Sequence, residues 1–208
     1  MIFIGITGGV GAGKTAILSY IEEYYNSKVL LADEIAHDLM EPGTACYREI
    51  CRVFQKEDIF QEDGRFDRGK MAEVIFGDEK KREQMNRIVH PAVKDVVEKE
   101  AQKEKKEQKI DILVLEAALL IEEQYDKICD ELWYIFTTEE NRRIRLTASR
   151  GYSQEKIDHI FASQLTEDIY RSSCQAVIDN NDTPAQSCMQ VARLLQERGI
   201  LPVKEPLL

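Results

Sequence analysis

At 208 residues, with 43% hydrophobic and 32% charged side chains, the chain suits one α/β domain with insertions and has enough apolar residues for a sizeable core. The formal net charge of −10 argues against a nucleic-acid partner, although a local basic site for an anionic ligand acts at short range and survives in an acidic protein. The five cysteines form no C-x-x-C pair, no signal-peptide pattern opens the chain, and no apolar run approaches membrane-spanning length. Reduced thiols in a cytoplasmic protein without a membrane partner are the expectation.

In chain order, Met1 to Thr7 is an apolar strand. Residues 8 to 15 then read Gly-Gly-Val-Gly-Ala-Gly-Lys-Thr, and a helix follows from about Lys14 to Tyr25. This is G-x-x-x-x-G-K-[ST] between strand and helix, the context in which the pattern has a mechanism. Glycines let the backbone turn its N–H groups toward phosphate oxygens, and the helix adds its positive end. The nucleotide-binding set is Gly9, Val10, Gly11, Ala12, Gly13, Lys14, Thr15 and Ala16. Lys14 is expected to reach the β- and γ-phosphates, and Thr15 to hold Mg²⁺.

Lys28 to Ala32 is a second strand, after which Asp33 opens a helix running from Glu34 to Met40. Thr44 to Gln55 reads as helical, and a polar loop with the turn Asp63-Gly64 follows. Asp67 and Asp78 are candidate N-caps for a short and a long helix. Met85, Ile88, Val89, Val93, Val96 and Val97 form the apolar stripe of the long one. His90-Pro91 predicts a kink or a fresh helix start within it, and Glu98 to Lys109 reads as a solvated helix end. Strands resume at Ile110–Glu116 and Glu131–Phe136. Thr138 to Ser149 is a helix stopped by Gly151, and Ser153 opens another. Ala176–Ile178 is a last strand, and Thr183-Pro184 starts a terminal helix.

Alternating strands and helices imply a parallel five-stranded sheet covered on both faces, an α/β fold of three layers. The helix-only stretch is better read as a subdomain inserted over the carboxyl edge of the sheet, where ligands bind in such folds. The expected division is one domain over 1–208, with a core of about 1–40, 110–138 and 174–200, a helical insert of about 41–109 and a lid of about 139–165.

Regulatory GTPases are excluded, because neither D-x-x-G nor N-K-x-D occurs. A kinase needs a group to orient and deprotonate an acceptor hydroxyl, positive charge over the transferring phosphoryl, and a cover against water. Asp33 is the candidate for the first role; an N-cap is the compatible plainer one. Arg142, Arg143, Arg145 and Arg150 supply the charge, or else form an exposed basic helix face. Glu116 and Glu122 flank Ala117 to Ile121, where a second carboxylate for Mg²⁺ would lie.

Taken together the segments resemble the dephospho-coenzyme A kinase family of P-loop kinases, over nearly the whole chain. The resemblance rests on Gly5 to Thr15, Ala32-Asp33-Glu34-Ile35-Ala36, Gly64-Arg65-Phe66-Asp67-Arg68 and Asn86 to Pro91. It continues through Leu119-Leu120-Ile121-Glu122, Arg145-Leu146 with Arg150, Gln164, and Val177-Ile178-Asp179-Asn180. It implies a three-layer core, a helical coenzyme-binding subdomain and a lid, with ATP and Mg²⁺ used to phosphorylate the 3′-hydroxyl of dephospho-coenzyme A. It makes Asp33 the general base, Arg145 a lid arginine near the phosphates, and Arg150 and Asn180 parts of the ATP site. His90, Pro91, Leu119 and Glu122 fall to the acceptor. The chain departs from the pattern at Leu31, Glu116, Cys174-Gln175 and Thr15-Ala16. A kinase for another nucleotide or small alcohol, and a nucleotide-binding module without acceptor chemistry, are the rival readings. Oligomeric state and the role of Leu201 to Leu208, tail or docking segment, are not legible.

Overall fold

The computed structural model describes residues 1–205, so Pro206 to Leu208 of the terminal segment lie outside the described residues. Strands are β1 (Ile2–Thr7), β2 (Ser27–Leu31), β3 (Ile112–Glu116), β4 (Glu131–Phe136) and β5 (Ala176–Asp179). Helices are α1 (Lys14–Tyr24), α2 (Ala32–Leu39), α3 (Ala45–Val53), α4 (Arg68–Gly77), α5 (Glu79–Glu107), α6 (Glu139–Arg150), α7 (Gln154–Ala162), α8 (Glu167–Ser173) and α9 (Pro184–Glu197). The chain divides into two units, Met1–Leu30 with the chain from Lys103 onward, and Leu31–Gln102.

The first unit holds a five-stranded parallel sheet in the order β2-β3-β1-β4-β5, with helices on both sides. Its central strands are near-continuous apolar runs, as burial on both faces requires: Ile4, Ile6, Leu113, Leu115, Leu132 and Trp133 are all sealed from solvent. In register, Ile6 lies opposite Glu116 of β3 and Trp133 of β4. The chain leaves β1 toward β2 on one side and leaves β3 toward β4 on the other. The carboxyl ends of β1 and β3 therefore flank the point where the strand order reverses, the usual ligand crevice of an open α/β sheet.

The second unit begins at Leu31 and so includes α2. Local caps define its helices. Thr44 accepts from the Tyr47 amide, and Asp67 accepts from the Lys70 amide at 3.1 Å. Asp78 accepts from Lys80 and Lys81 ahead of α5. Two expectations are corrected here. Helix α2 starts at Ala32 with Leu31 at the cap position, so Ala32 is not strand and Asp33 is not an N-cap but a first-turn residue, favoured there by the helix dipole. Helix α5 also runs without a fresh start through His90 and Pro91. Met85, Val89, Val93 and Val97 are buried at four-residue spacing on both sides of the proline, and that continuous stripe outweighs the roughly 3 kcal/mol cost of an interior proline. The charged end of α5 is solvated except at Glu104, which is buried and paired with Lys28 at 3.2 Å.

Candidate active site

The loop Gly8–Gly13 leaves β1 and enters α1 at Lys14. Gly13 caps the helix with φ +86°, a left-handed conformation that L side chains rarely adopt, and a Cβ there would fall 2.4 Å from the Asn180 amide nitrogen. Lys14 is largely buried. Its ammonium donates to the Gly8 carbonyl at 2.8 Å and pairs with Glu116 at 3.3 Å. Thr15 and Ala16 are exposed on the first turn of α1.

The outer edge of the loop is braced from elements far away in sequence. The Ala12 carbonyl accepts from Asn180 Nδ2 at 2.7 Å, from Thr137 Oγ1 at 3.0 Å and from Arg145 Nη1 at 3.3 Å. Arg145 Nη2 donates to the Asn180 carbonyl at 2.7 Å, and Ser187 donates to Asn180 Oδ1 at 2.7 Å. Thr137, Asn180 and Ser187 are buried, so each polar atom in this strut needs the partner it has. The structure thus places Arg145 and Asn180 on loop carbonyls. Arg142, one of the four arginines read from the sequence as a source of charge, donates to the Val10 carbonyl at 2.9 Å and lies over the Phe161 ring. Burial lowers the pKa of its guanidinium, which stays a cation. Arg143 is engaged elsewhere, with Asp158 at 2.7 Å, and so ties α6 to α7. Arg150 is exposed beside Tyr152, where its hydrogen bond lowers the phenol's pKa, helped by Lys156.

After β3 the chain turns through Ala117 to Gln124. Leu120 is sealed in the core, whereas Leu119 and Glu122 are exposed. Oxygen donors suited to a hard cation are present in the Thr15 hydroxyl and the Glu116 carboxylate. Among the described residues no cluster of three or more His, Cys, Asp or Glu could hold a metal ion. An ion here would draw its remaining ligands from phosphates and water, as Mg²⁺ commonly does.

The second unit has its own cavity, of about 480 Å³, lined by His37, Met40, Glu41, Arg65, Phe66 and Arg68 among others. Arg68 Nη2 lies 2.9 and 2.8 Å from the two ring nitrogens of His37, and Arg65 pairs with Glu41 at 3.1 Å. Phe66 packs on Tyr47 and Phe60, with ring centres 4.9 and 5.4 Å apart, and so fixes the segment that carries Arg65 and leads to Arg68 at the start of α4. Sequence alone assigns the arginines of Gly64 to Arg68 no role; two arginines close behind the Asp63-Gly64 turn were the available signal. Asp33 is exposed on the first turn of α2, His90 is half-buried and Pro91 exposed within α5.

The chain matches the dephospho-CoA kinase family over residues 2–186. A dephospho-CoA kinase of Oceanobacillus iheyensis is 34% identical, the match covering 96% of this chain and 98% of that protein. One of Shouchella clausii is 33% identical, covering 90% and 94%. Among solved structures, TT1252 from Thermus thermophilus superposes with a TM-score of 0.79 at 23% identity, covering 95% of this chain and 97% of the other. A shikimate kinase from Acinetobacter baumannii shares the fold with a TM-score of 0.52 at 14% identity, covering 95% and 94%. Among the described residues no helix is long and apolar enough to cross a membrane.

Proposed function

Because the chain belongs to the dephospho-CoA kinase family, we propose that it transfers the γ-phosphoryl group of ATP to the 3′-hydroxyl of dephospho-coenzyme A, the last step of coenzyme A synthesis. The observation that carries this reading is the phosphate loop at the end of the central strand, its lysine poised beside Glu116.

Each role follows from what the residue offers. The loop amides and the start of α1 bind phosphate oxygens, and Lys14 exchanges part of its present pairing for the β- and γ-phosphates. Thr15 and Glu116 are the donors for Mg²⁺, which supplies neutralisation of phosphate charge when bound. Asp33, an exposed carboxylate two residues beyond β2, accepts the proton of the attacking hydroxyl. The cavity of the second unit takes the acceptor, whose phosphates suit Arg65 and Arg68. Arg145 and Asn180 act by holding the loop in shape, a positioning contribution of the kind that dominates phosphoryl transfer. A cytoplasmic setting fits reduced cysteines and a soluble acceptor.

The test is to incubate the protein with MgATP and dephospho-coenzyme A and to analyse the products by mass. Coenzyme A formed in step with ADP is the expected result. ADP released without coenzyme A would move the assignment to another alcohol, with shikimate in the acceptor panel because shikimate kinases share the fold. No ADP with any acceptor would favour a nucleotide-binding module.

A further inference from the structure

Arg142 is a half-buried guanidinium laid against the phosphate loop. Its Nε donates to the Val10 carbonyl at 2.9 Å, its Nη2 to the side-chain oxygen of Gln164, and its Cζ stands 4.1 Å from the centre of the Phe161 ring. A Cβ on Gly9 would come within 2.4 Å of Cζ and 2.7 Å of Nη1, so the cation covers the face of that glycine. Its neighbour Arg143 has Asp158 as an ion-pair partner, but among the described residues no carboxylate forms an ion pair with Arg142.

Withdrawing a guanidinium from water is costly; the direct partners here are neutral acceptors and an aromatic face, and Glu139 offsets the charge only from a distance, too little to outweigh the burial. The Nη1 amino group is engaged by none of these contacts. The missing negative charge is of the kind the adjoining loop is built to hold. We propose that Arg142 is a second cation, beside Lys14, for the phosphates of the bound nucleotide, and that Phe161 and Gln164 hold it in place. The proposal rests on the reading that the loop takes ATP. It separates Arg142 from Arg145, whose guanidinium lies on the carbonyls of Ala12 and Asn180. The glycine at position 9 has a second reason to be glycine, since any side chain there would displace the cation.

The test compares wild type with Arg142→Gln and Arg142→Lys. Binding of MgATP, MgADP and AMP is measured by calorimetry, and thermal midpoints are taken with and without MgATP. Arg142→Gln is expected to weaken MgATP at least tenfold, MgADP less, and AMP least, with Arg142→Lys recovering part of the loss. The nucleotide-free midpoint is expected to stay level or rise, because a poorly compensated cation has been removed. Unchanged MgATP affinity in Arg142→Gln overturns the proposal. So does an equal loss for all three nucleotides with a lowered nucleotide-free midpoint, the pattern of a structural brace. A wild-type protein that binds none of the three nucleotides overturns the ATP reading itself, which the variants alone cannot do.

Discussion

The Lys14 ammonium, at the start of α1, stands 3.3 Å from the carboxylate of Glu116, the last residue of β3. Both side chains are less than one-fifth exposed, so water screens the pair weakly. Glu116 and the Gly8 carbonyl together occupy the lysine that, on the proposed reading, the phosphates would need. Metal-free ATP must therefore compete with a carboxylate for Lys14 and also bear its repulsion. Glu116 would hold a bound Mg²⁺, and the ion's charge would then offset both penalties. Replacement by glutamine keeps the shape and removes the charge. Glu116→Gln is expected to bind metal-free ATP about fivefold more tightly, equivalent to about 1 kcal/mol, and to lose much of the wild-type gain from Mg²⁺. Calorimetric titration of ATP with and without Mg²⁺ checks this; an unchanged Mg²⁺ dependence would show that Glu116 serves only as a partner for Lys14.

Asp33 is exposed, and it sits in the first turn of α2 without a capping role. Removing its charge therefore costs α2 only its dipole contribution, about 0.3–1 kcal/mol, and largely isolates the chemistry. Asp33→Asn is expected to lower kcat by roughly 10²- to 10⁴-fold, the usual contribution of a general base, with ATP affinity nearly unchanged. Steady-state kinetics beside ATP titration separates the two quantities, and undiminished kcat would remove Asp33 from the base role.

The arginines of the second unit make the proposed acceptor site separately testable. Arg68 contacts His37 and borders the cavity. Losing one charge-assisted contact to a phosphate costs about 1.5 kcal/mol, so Arg68→Ala is expected to raise KM for dephospho-coenzyme A roughly tenfold. KM for ATP should hold steady. An equal rise in both would point to general damage.

Gly13 is a demanding backbone position in the loop. Its φ of +86° disfavours any side chain, and a Cβ would collide with the Asn180 amide that supports Ala12. Gly13→Ala is expected to cost about 1–3 kcal/mol of stability and to weaken ATP binding as the strut shifts. Gly77, at the end of α4 with open space around it, is the control, and Gly77→Ala should be neutral or slightly stabilising. Urea denaturation of both variants gives the comparison.

How much of this was legible in the sequence depended on distance along the chain. Asp67, Asp78, Gly151 and Thr183 announce helix ends through bonds spanning a few residues, and all four do so in the structure. The phosphate loop was legible because its motif, strand and helix are contiguous. His90-Pro91 misled as a helix start because a local rule met a buried stripe that extends past it on both sides. Among four arginines on one helix, no local feature tells which reaches Val10, which Ala12 and which Asp158. Those bonds close sequence separations of 132 and 133 residues for the first two, and only the folded sheet sets them. The cavity around His37 and Arg68 was hidden for the same reason, since it forms between α2 and a loop some thirty residues later.

Glu131 gives a pH-dependent prediction away from the site. Its carboxylate accepts from Arg198 at 2.8 and 2.6 Å and from the Trp133 indole at 2.9 Å, joining the start of β4 to the end of α9. Burial opposes ionisation, but the bonds from Arg198 and Trp133 outweigh it and hold the carboxyl below its ordinary range. A carboxyl with a depressed folded-state pKa stabilises the fold fully above its unfolded value, near 4.3, and loses that contribution as pH falls through the lower folded value. Glu131→Gln is therefore expected to cost about 1–2 kcal/mol at neutral pH, lowering the midpoint by several degrees for a chain of this size. The difference from wild type should shrink steadily below about pH 4. Trp133 is the chain's one tryptophan and lies in the same cluster, so its fluorescence follows unfolding of this unit directly. A destabilisation that stayed constant from neutral to acid pH would mean that the shape of Glu131, and not its charge, joins β4 to α9.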